Sequence, residues 1–143
     1  MLLVQSPSPM ALAAKPSVLI VDDEINVART LGMVFQDEGY SVTTAHSSSE
    51  ALELLQNGHS FDAVVTDLNM EKPDIGLEVA RAAKGLSPAP ITVICTGYAS
   101  TSNSRVALQI HVDYLATKPV NIEELVPAVN RLLARNRERG MRL

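Results

Sequence analysis

The chain has 143 residues, of which 46% are hydrophobic and 20% are charged, and this balance is typical of one soluble globular domain with a substantial core. The net charge of −4 argues against a protein that mainly coats nucleic acid, because phosphate backbones require a concentrated positive surface. A single cysteine excludes an internal disulfide, and no apolar run is long enough to cross a bilayer, so we expect a cytoplasmic protein.

The first residues differ in character from the rest of the sequence. Residues 1–15 contain the run Ser6-Pro7-Ser8-Pro9 and show no helix or strand period, which predicts a loose N-terminal leader. We expect a single domain over residues 16–137 and a short tail over residues 138–143. Because the sequence after about Arg137 is too short for an output domain, a stand-alone domain is expected unless the chain is a fragment.

After the leader, strand-like and helix-like segments alternate five times. Short apolar or β-branched runs predict strands at residues 18–21, 41–44, 61–66, 91–95 and 112–116. Apolar positions at three- and four-residue spacing predict helices at about residues 26–37, 77–84, 100–110 and 122–137. A further predicted helix carries Ala51, Leu54 and Leu55, with the capping run Ser47-Ser48-Ser49-Glu50 at its start and Asn57-Gly58 at its end. This alternation is typical of an α/β domain in which helices cover both faces of a parallel sheet.

Five polar residues follow the predicted strands. They are Asp22, Asp23, Asp67, Thr96 and Lys118. Because the carboxyl ends of parallel strands share one edge of the sheet, we expect these side chains to lie together. Three crowded carboxylates repel one another strongly unless a hard, oxygen-seeking divalent cation lies between them. The sequence therefore predicts a Mg²⁺ site at this edge.

The same residue types suit phosphoryl transfer. A carboxylate can attack phosphorus to form an acyl phosphate, while Mg²⁺ offsets the negative charge of the oxygens. A lysine and a hydroxyl can hold the remaining phosphoryl oxygens. We therefore predict chemistry on a phosphoryl group.

Four short motifs occur in a characteristic order: Val21–Glu24, Thr66–Met70, Cys95–Tyr98 and Thr117–Pro119. With them, the chain resembles the receiver domains of two-component response regulators over about residues 17–136. The resemblance implies a flavodoxin-like, doubly wound (βα)5 fold, with a five-stranded parallel sheet of order 2-1-3-4-5 and helices on both faces.

The resemblance also implies roles for individual residues. Asp67 is expected to be the phosphoacceptor, with Asp23 binding Mg²⁺ directly and Asp22 binding it largely through water. The backbone carbonyl of Asn69 is expected to be a further metal ligand. Thr96 and Lys118 match the pair that senses the phosphoryl group in this family.

Two further positions, Asn69 and Tyr98, are expected to tune the lifetime of the acyl phosphate, and Tyr114 is the candidate aromatic switch. Expected partners are a histidine kinase or a histidine phosphotransfer protein, and an unknown downstream protein. The resemblance allows a phosphorylation-dependent homodimer. The acidic net charge and the lack of a long apolar run argue against direct nucleic-acid binding and membrane insertion, and the resemblance implies no turnover of an external substrate.

The sequence departs from the family pattern in two places. The stretch Met70–Gly76 is one residue longer than usual and lacks the proline that normally follows the methionine. The usual aromatic slot, three residues before Lys118, holds Leu115, and Tyr114 precedes it. Because side chains alternate along a strand, Tyr114 is expected to point to the other face unless a bulge restores the register.

Three alternatives remain open at this stage. A Mg²⁺ phosphatase that uses an aspartyl phosphate normally needs a second acid two residues after its nucleophile, where this chain has Asn69. A nucleotide-binding domain needs a glycine-rich turn after the first strand, where this chain has Asp22-Asp23-Glu24. The third alternative is a receiver-shaped interaction module that phosphorylation does not regulate.

Overall fold

The computed structural model describes residues 15–97 and 100–141. The five strands are β1 Ser17–Val21, β2 Ser41–Ala45, β3 Ala63–Asp67, β4 Ile91–Thr96 and β5 Tyr114–Thr117. The five helices are α1 Ile25–Asp37, α2 Ser48–Gln56, α3 Gly76–Lys84, α4 Thr101–Ile110 and α5 Ile122–Met141. The predicted leader lies outside the described residues except for Lys15.

The strands form one parallel sheet in the order β2-β1-β3-β4-β5. The central strands β3 and β4 are buried at every position, which explains their continuous apolar runs. The predicted flavodoxin-like topology is confirmed.

Two layers of helices cover the sheet. Helices α1 and α5 pack on one face, through buried side chains that include Phe35 and Val129. Helices α2, α3 and α4 cover the other face, where Leu55, Val79 and Ala107 are buried. Side chains from alternate positions of each strand fill the two cores, as a doubly wound sheet requires.

All element ends lie within two residues of their predicted positions except the C-terminal end of α5, and the two-residue shift at the start of β5 has a local cause. Strand β5 begins at Tyr114 instead of residue 112, because His111 takes a left-handed conformation (φ 69°) at the end of α4. The Val112 N–H then donates to the carbonyl of Ala107, which closes that helix end.

Helix α5 is longer than predicted, since it continues from Arg137 to Met141. Among the described residues, no helix combines the length and apolar character that crossing a membrane would need.

Candidate functional site

The carboxyl ends of four strands bring the predicted site residues to one edge of the sheet. Asp22 follows β1, Asp67 is the last residue of β3, Thr96 is the last residue of β4, and Lys118 follows β5. Strand β3 lies between β1 and β4, so Asp67 occupies the centre of this edge.

The three acids form a compact cluster. Asp22, Asp23 and Asp67 each offer a carboxylate oxygen, and these oxygens all lie within 4.8 Å of one another. Asp22 and Asp67 are only 3% and 7% exposed, whereas Asp23 is exposed. Carboxylate oxygens are the ligands that hard divalent cations prefer, so this cluster could bind a metal ion. Elsewhere in residues 15–97 and 100–141, no group of three or more His, Cys, Asp or Glu residues is close enough to do so.

Lys118 brings a positive charge into the acid cluster. Its Nζ lies 3.2 Å from Oδ1 of Asp67 and 3.4 Å from Oδ2 of Asp22. Burial alone would lower the pKa of Lys118, but attraction to Asp67 and Asp22 outweighs it and the pKa is raised. The side chain therefore stays an ammonium group that can contact anionic oxygens.

The carboxyl group of Asp67 is tuned by two opposing effects. Burial raises its pKa, and the charge and hydrogen bond of Lys118 counteract only part of that rise. A carboxylate that is shielded from water and held beside an ammonium group is chemically suited to act as a nucleophile.

Asp22 is held in place by the turn that follows β1. Its Oδ1 accepts a hydrogen bond of 2.9 Å from the N–H of Glu24, and its own N–H donates to the carbonyl of Ala45. A ring nitrogen of His46 lies 3.2 Å from the carbonyl oxygen of Asp22. These contacts leave Oδ2 of Asp22 directed toward Lys118.

The loop between β3 and α3, residues 68–75, has an internally bonded structure. The N–H of Gly76 donates to the carbonyl of Leu68 at 2.8 Å, and the N–H of Asp74 donates to Oδ1 of Asn69 at 2.7 Å. Asp74 has a positive φ of 59°, a conformation that aspartate tolerates better than most residues. The loop that is longer than the family pattern is therefore closed by the Asn69 side chain.

Gly76 allows this loop to return close to the end of β3 at Asp67. A Cβ at residue 76 would lie 2.1 Å from the backbone oxygen of Asp67 and 2.8 Å from the Cα of Leu68. Only glycine fits at this position without a shift of the backbone.

Thr96 and Cys95 lie on the strand next to Asp67. Asp67 is paired with Cys95, and Thr96, one residue further, is 1% exposed. The N–H of Lys118 donates to the carbonyl of Thr96 at 2.8 Å, which ties the lysine loop to β4. Burial raises the pKa of the Cys95 thiol to about 12, so this residue is a protonated core group and not a nucleophile.

Tyr114 lies on the face of the sheet opposite to that of Thr96. Strand β5 pairs with β4 without interruption, with Tyr114 opposite Val93 and Leu115 opposite Ile94. Tyr114 packs with the α1 and α5 core, whereas Leu115 is 38% exposed on the side of Ile94 and Thr96. No bulge restores the family register here, so the role of Tyr114 as a switch stays a prediction. Tyr98 lies outside the described residues.

One contact near the site was not predicted from the sequence. The carboxylate of Glu71, in the loop after β3, accepts hydrogen bonds from the N–H and the hydroxyl of Ser48 at the start of α2. The hydrogen bond from the Ser48 side chain lowers the pKa of Glu71. The serine cluster at residues 47–49 predicted a helix start, but no local pattern links it to a residue 23 positions away.

Comparisons with known proteins agree with this geometry. A family profile described as "Response regulator receiver domain" matches residues 18–130. The chain is 33% identical over 120 residues to the transcriptional regulatory protein GlrR of Escherichia coli, covering 83% of this chain and 27% of GlrR. It is 32% identical over 125 residues to the response regulator ArlR of Staphylococcus aureus, covering 87% of this chain and 55% of ArlR. The chain thus spans between about a quarter and about half of the length of these relatives.

Solved structures of receiver proteins superpose on this fold. A CheY-like receiver domain from Methanospirillum hungatei superposes with a TM-score of 0.81 at 28% identity, covering 87% of this chain and 98% of that one. The chemotaxis protein CheY4 of Vibrio cholerae gives a TM-score of 0.73 at 29% identity, covering 82% and 98%. The family profile covers most of the chain. The observed fold and the acid cluster at the carboxyl edge of the sheet are consistent with this family. The chain therefore belongs to the receiver domains of two-component response regulators.

Proposed function

We propose that this receiver domain takes a phosphoryl group from a phosphohistidine donor onto Asp67 in a Mg²⁺-dependent reaction, and that the modification switches its contacts with other proteins. The observation that carries the proposal is the contact between Lys118 and Asp67, 3.2 Å apart beside two further carboxylates. This adjacency supports the proposal, because phosphoryl transfer needs an acceptor, a cation and metal-binding groups side by side.

The residues that would hold Mg²⁺ are Asp22, Asp23, Asp67 and the backbone carbonyl of Asn69. When bound, the ion would supply positive charge that offsets the negative charge of the carboxylates and of the phosphoryl oxygens. All four groups offer oxygen atoms, the donor type that Mg²⁺ prefers.

In the transfer step, an oxygen of Asp67 forms a bond to phosphorus while the bond from phosphorus to the donor imidazole nitrogen breaks. The imidazole keeps the electron pair of the broken bond. Lys118 and Thr96 hold the phosphoryl oxygens, with the ammonium group carrying the larger share of the charge compensation. Water later attacks phosphorus and returns Asp67 as a carboxylate together with inorganic phosphate.

The protein in this proposal is a signalling phosphoacceptor and not an enzyme for an external substrate. Its donor is a histidine kinase or a histidine phosphotransfer protein, and its target is a downstream protein or a second phosphorylated copy. Asn69 and Tyr98, the positions expected near the phosphoryl group, set the lifetime of the acyl phosphate. Its place of action is the cytoplasm.

One observation favours a second candidate, a receiver-shaped interaction module that does not respond to phosphorylation. The ring of Tyr114 packs on the face away from Thr96, so the usual aromatic link between the acceptor site and the outer surface has no counterpart at this residue. The two candidates predict different chemistry at Asp67.

Incubation with Mg²⁺ and a small phosphodonor such as acetyl phosphate, followed by intact mass measurement, tests the proposal. We expect one added phosphoryl group on the wild-type protein, no addition to Asp67→Asn, and loss of the addition when a chelator removes the metal. An unchanged wild-type mass at saturating donor and Mg²⁺ would favour the interaction module.

A further inference from the structure

The loop between β3 and α3 is attached to the neighbouring helix by a polar contact. Both oxygens of Glu71 lie within hydrogen-bond distance of the N–H of Ser48, at 3.0 and 3.4 Å, and Oε1 also accepts from the Ser48 hydroxyl. Ser48 is the first residue of α2 and only 8% exposed.

This contact satisfies a helix end that needs an acceptor. The first N–H groups of a helix have no partner within it, and the N-terminal end favours a negative charge. The side chain of Ser47 accepts from the N–H of Glu50, and Glu71 serves a second of these N–H groups, that of Ser48. The charge of Glu71 is therefore directed to the helix, and the metal-binding cluster consists of Asp22, Asp23 and Asp67 without it.

An apolar contact anchors the same part of the loop. Met70 packs against the core cluster that includes Ala51 of α2. On the other side, Asn69 follows β3, whose end is held by the hydrogen bond from the Leu68 N–H to the Cys95 carbonyl at 2.9 Å. The backbone of Asn69 is thus fixed from both directions, by β4 before it and by α2 after it.

We propose that Glu71 is a positioning residue for the metal site: its contact with Ser48 holds the Asn69 backbone so that the carbonyl is available to the cation. This inference rests on the proposed function, because it concerns the same Mg²⁺ site. Groups that orient metal ligands typically change metal affinity by one or two orders of magnitude when they are removed.

The test is a calorimetric Mg²⁺ titration of the full chain and its variants. We expect Glu71→Ala to raise the Mg²⁺ dissociation constant about tenfold, and Glu71→Gln to raise it only about threefold, because an amide oxygen can still accept from Ser48. Ser48→Ala, which keeps the N–H donor but removes the hydroxyl, is expected to lie between these two variants.

Glu53→Ala is the matched control, because it removes one negative charge from an exposed position of α2. Its dissociation constant is expected to stay within about twofold of the wild type. Phosphorylation by acetyl phosphate supplies a second readout. In Glu71→Ala, the Mg²⁺ concentration for half-maximal rate should rise, while the rate at saturating Mg²⁺ stays near the wild-type value.

The inference is overturned if the wild type binds Mg²⁺ and Glu71→Ala binds it as tightly as Glu53→Ala does. If Glu71→Ala does not fold, equal affinities of Glu71→Gln, Ser48→Ala and the wild type overturn it in the same way. A wild-type protein that binds no Mg²⁺ would overturn the proposed function as well, so the two failures can be told apart.

Discussion

The ammonium group of Lys118 lies between the carboxylates of Asp67 and Asp22, at 3.2 and 3.4 Å. Both acids are buried, so this contact compensates charges that water reaches poorly. Lys118 therefore stabilises the metal-free protein through the same carboxylates that are proposed to bind the metal and to accept the phosphoryl group.

Replacing Lys118 with methionine should destabilise the metal-free protein by about 2 kcal/mol, because two buried carboxylates lose their cation. Added Mg²⁺ should reduce this deficit, since it supplies positive charge to the same oxygens. Urea unfolding with and without Mg²⁺ measures both effects.

The control for this experiment is Lys84→Met. Lys84 forms a partly buried ion pair with Asp113, and its Nζ also donates to the carbonyl of Pro90. Both partners lie at the opposite end of β4 from Thr96, so the stability loss in this variant should not depend on Mg²⁺. Equal Mg²⁺ dependence in the two variants would contradict the role given to Lys118.

Gly76→Ala should destabilise the protein by roughly 2–3 kcal/mol, because the new Cβ would lie 2.1 Å from the backbone oxygen of Asp67. Thermal or urea unfolding measures the loss. Gly85→Ala is the matched control, since its Cβ would meet its nearest neighbours at an ordinary 3.5 Å. Similar losses for both variants would show that the return of the loop toward Asp67 is not as tight as described.

Tyr40 predicts a pH dependence of stability in alkaline solution. Burial raises the pKa of its phenol from 10.0 to about 12, and its hydroxyl lies 2.6 Å from Oδ1 of Asn130. The folded protein therefore holds this proton more tightly than the unfolded chain does. The contribution of the protonated Tyr40 phenol to the free energy of unfolding is complete below about pH 10. As the pH rises toward 12, this contribution is lost, and the protein is destabilised by up to roughly 2–3 kcal/mol.

Urea unfolding at several pH values between 9 and 12, together with phenolate absorbance, measures this effect. Tyr40→Phe should show a shallower fall of stability across the window and should lack the late-ionising phenol. A Tyr40 phenol that ionises near its ordinary pKa would refute the prediction.

The orientation of β5 predicts that Tyr114 and Leu115 differ in their response to phosphorylation. The Tyr114→Leu substitution keeps an apolar side chain in the α1 and α5 core, so amide resonances of α4 and β5 should change on phosphorylation as they do in the wild type. Leu115→Ala should weaken those changes, because Leu115 shares the face of Ile94 and Thr96. The opposite ranking would assign the switch to Tyr114.

Much of the fold and of the acid cluster could be predicted because both depend on local patterns. Apolar runs marked the strands, and a polar residue at the end of each run placed Asp22, Asp67, Thr96 and Lys118 at one edge. The start of β5 could not be predicted, because the left-handed conformation of His111 takes Val112 into the helix cap.

Contacts between segments that lie far apart in the sequence also could not be predicted. The side chain of Glu71 reaches Ser48 from 23 residues away, and its charge alone is equally consistent with a solvated loop residue. The face of the sheet on which Tyr114 lies depends on the exact register of β5 with β4. The position of Tyr114 one residue before the usual aromatic slot does not by itself determine that register.

Reductive trapping of the acyl phosphate identifies which carboxylate is phosphorylated. After incubation with Mg²⁺ and acetyl phosphate, borohydride should convert the modified aspartate to homoserine, and peptide mass spectrometry then identifies the position. We expect homoserine at position 67 and its absence when Mg²⁺ is withheld. Trapping at position 22 or 23 instead, or no trapping at any position, would contradict the proposed function.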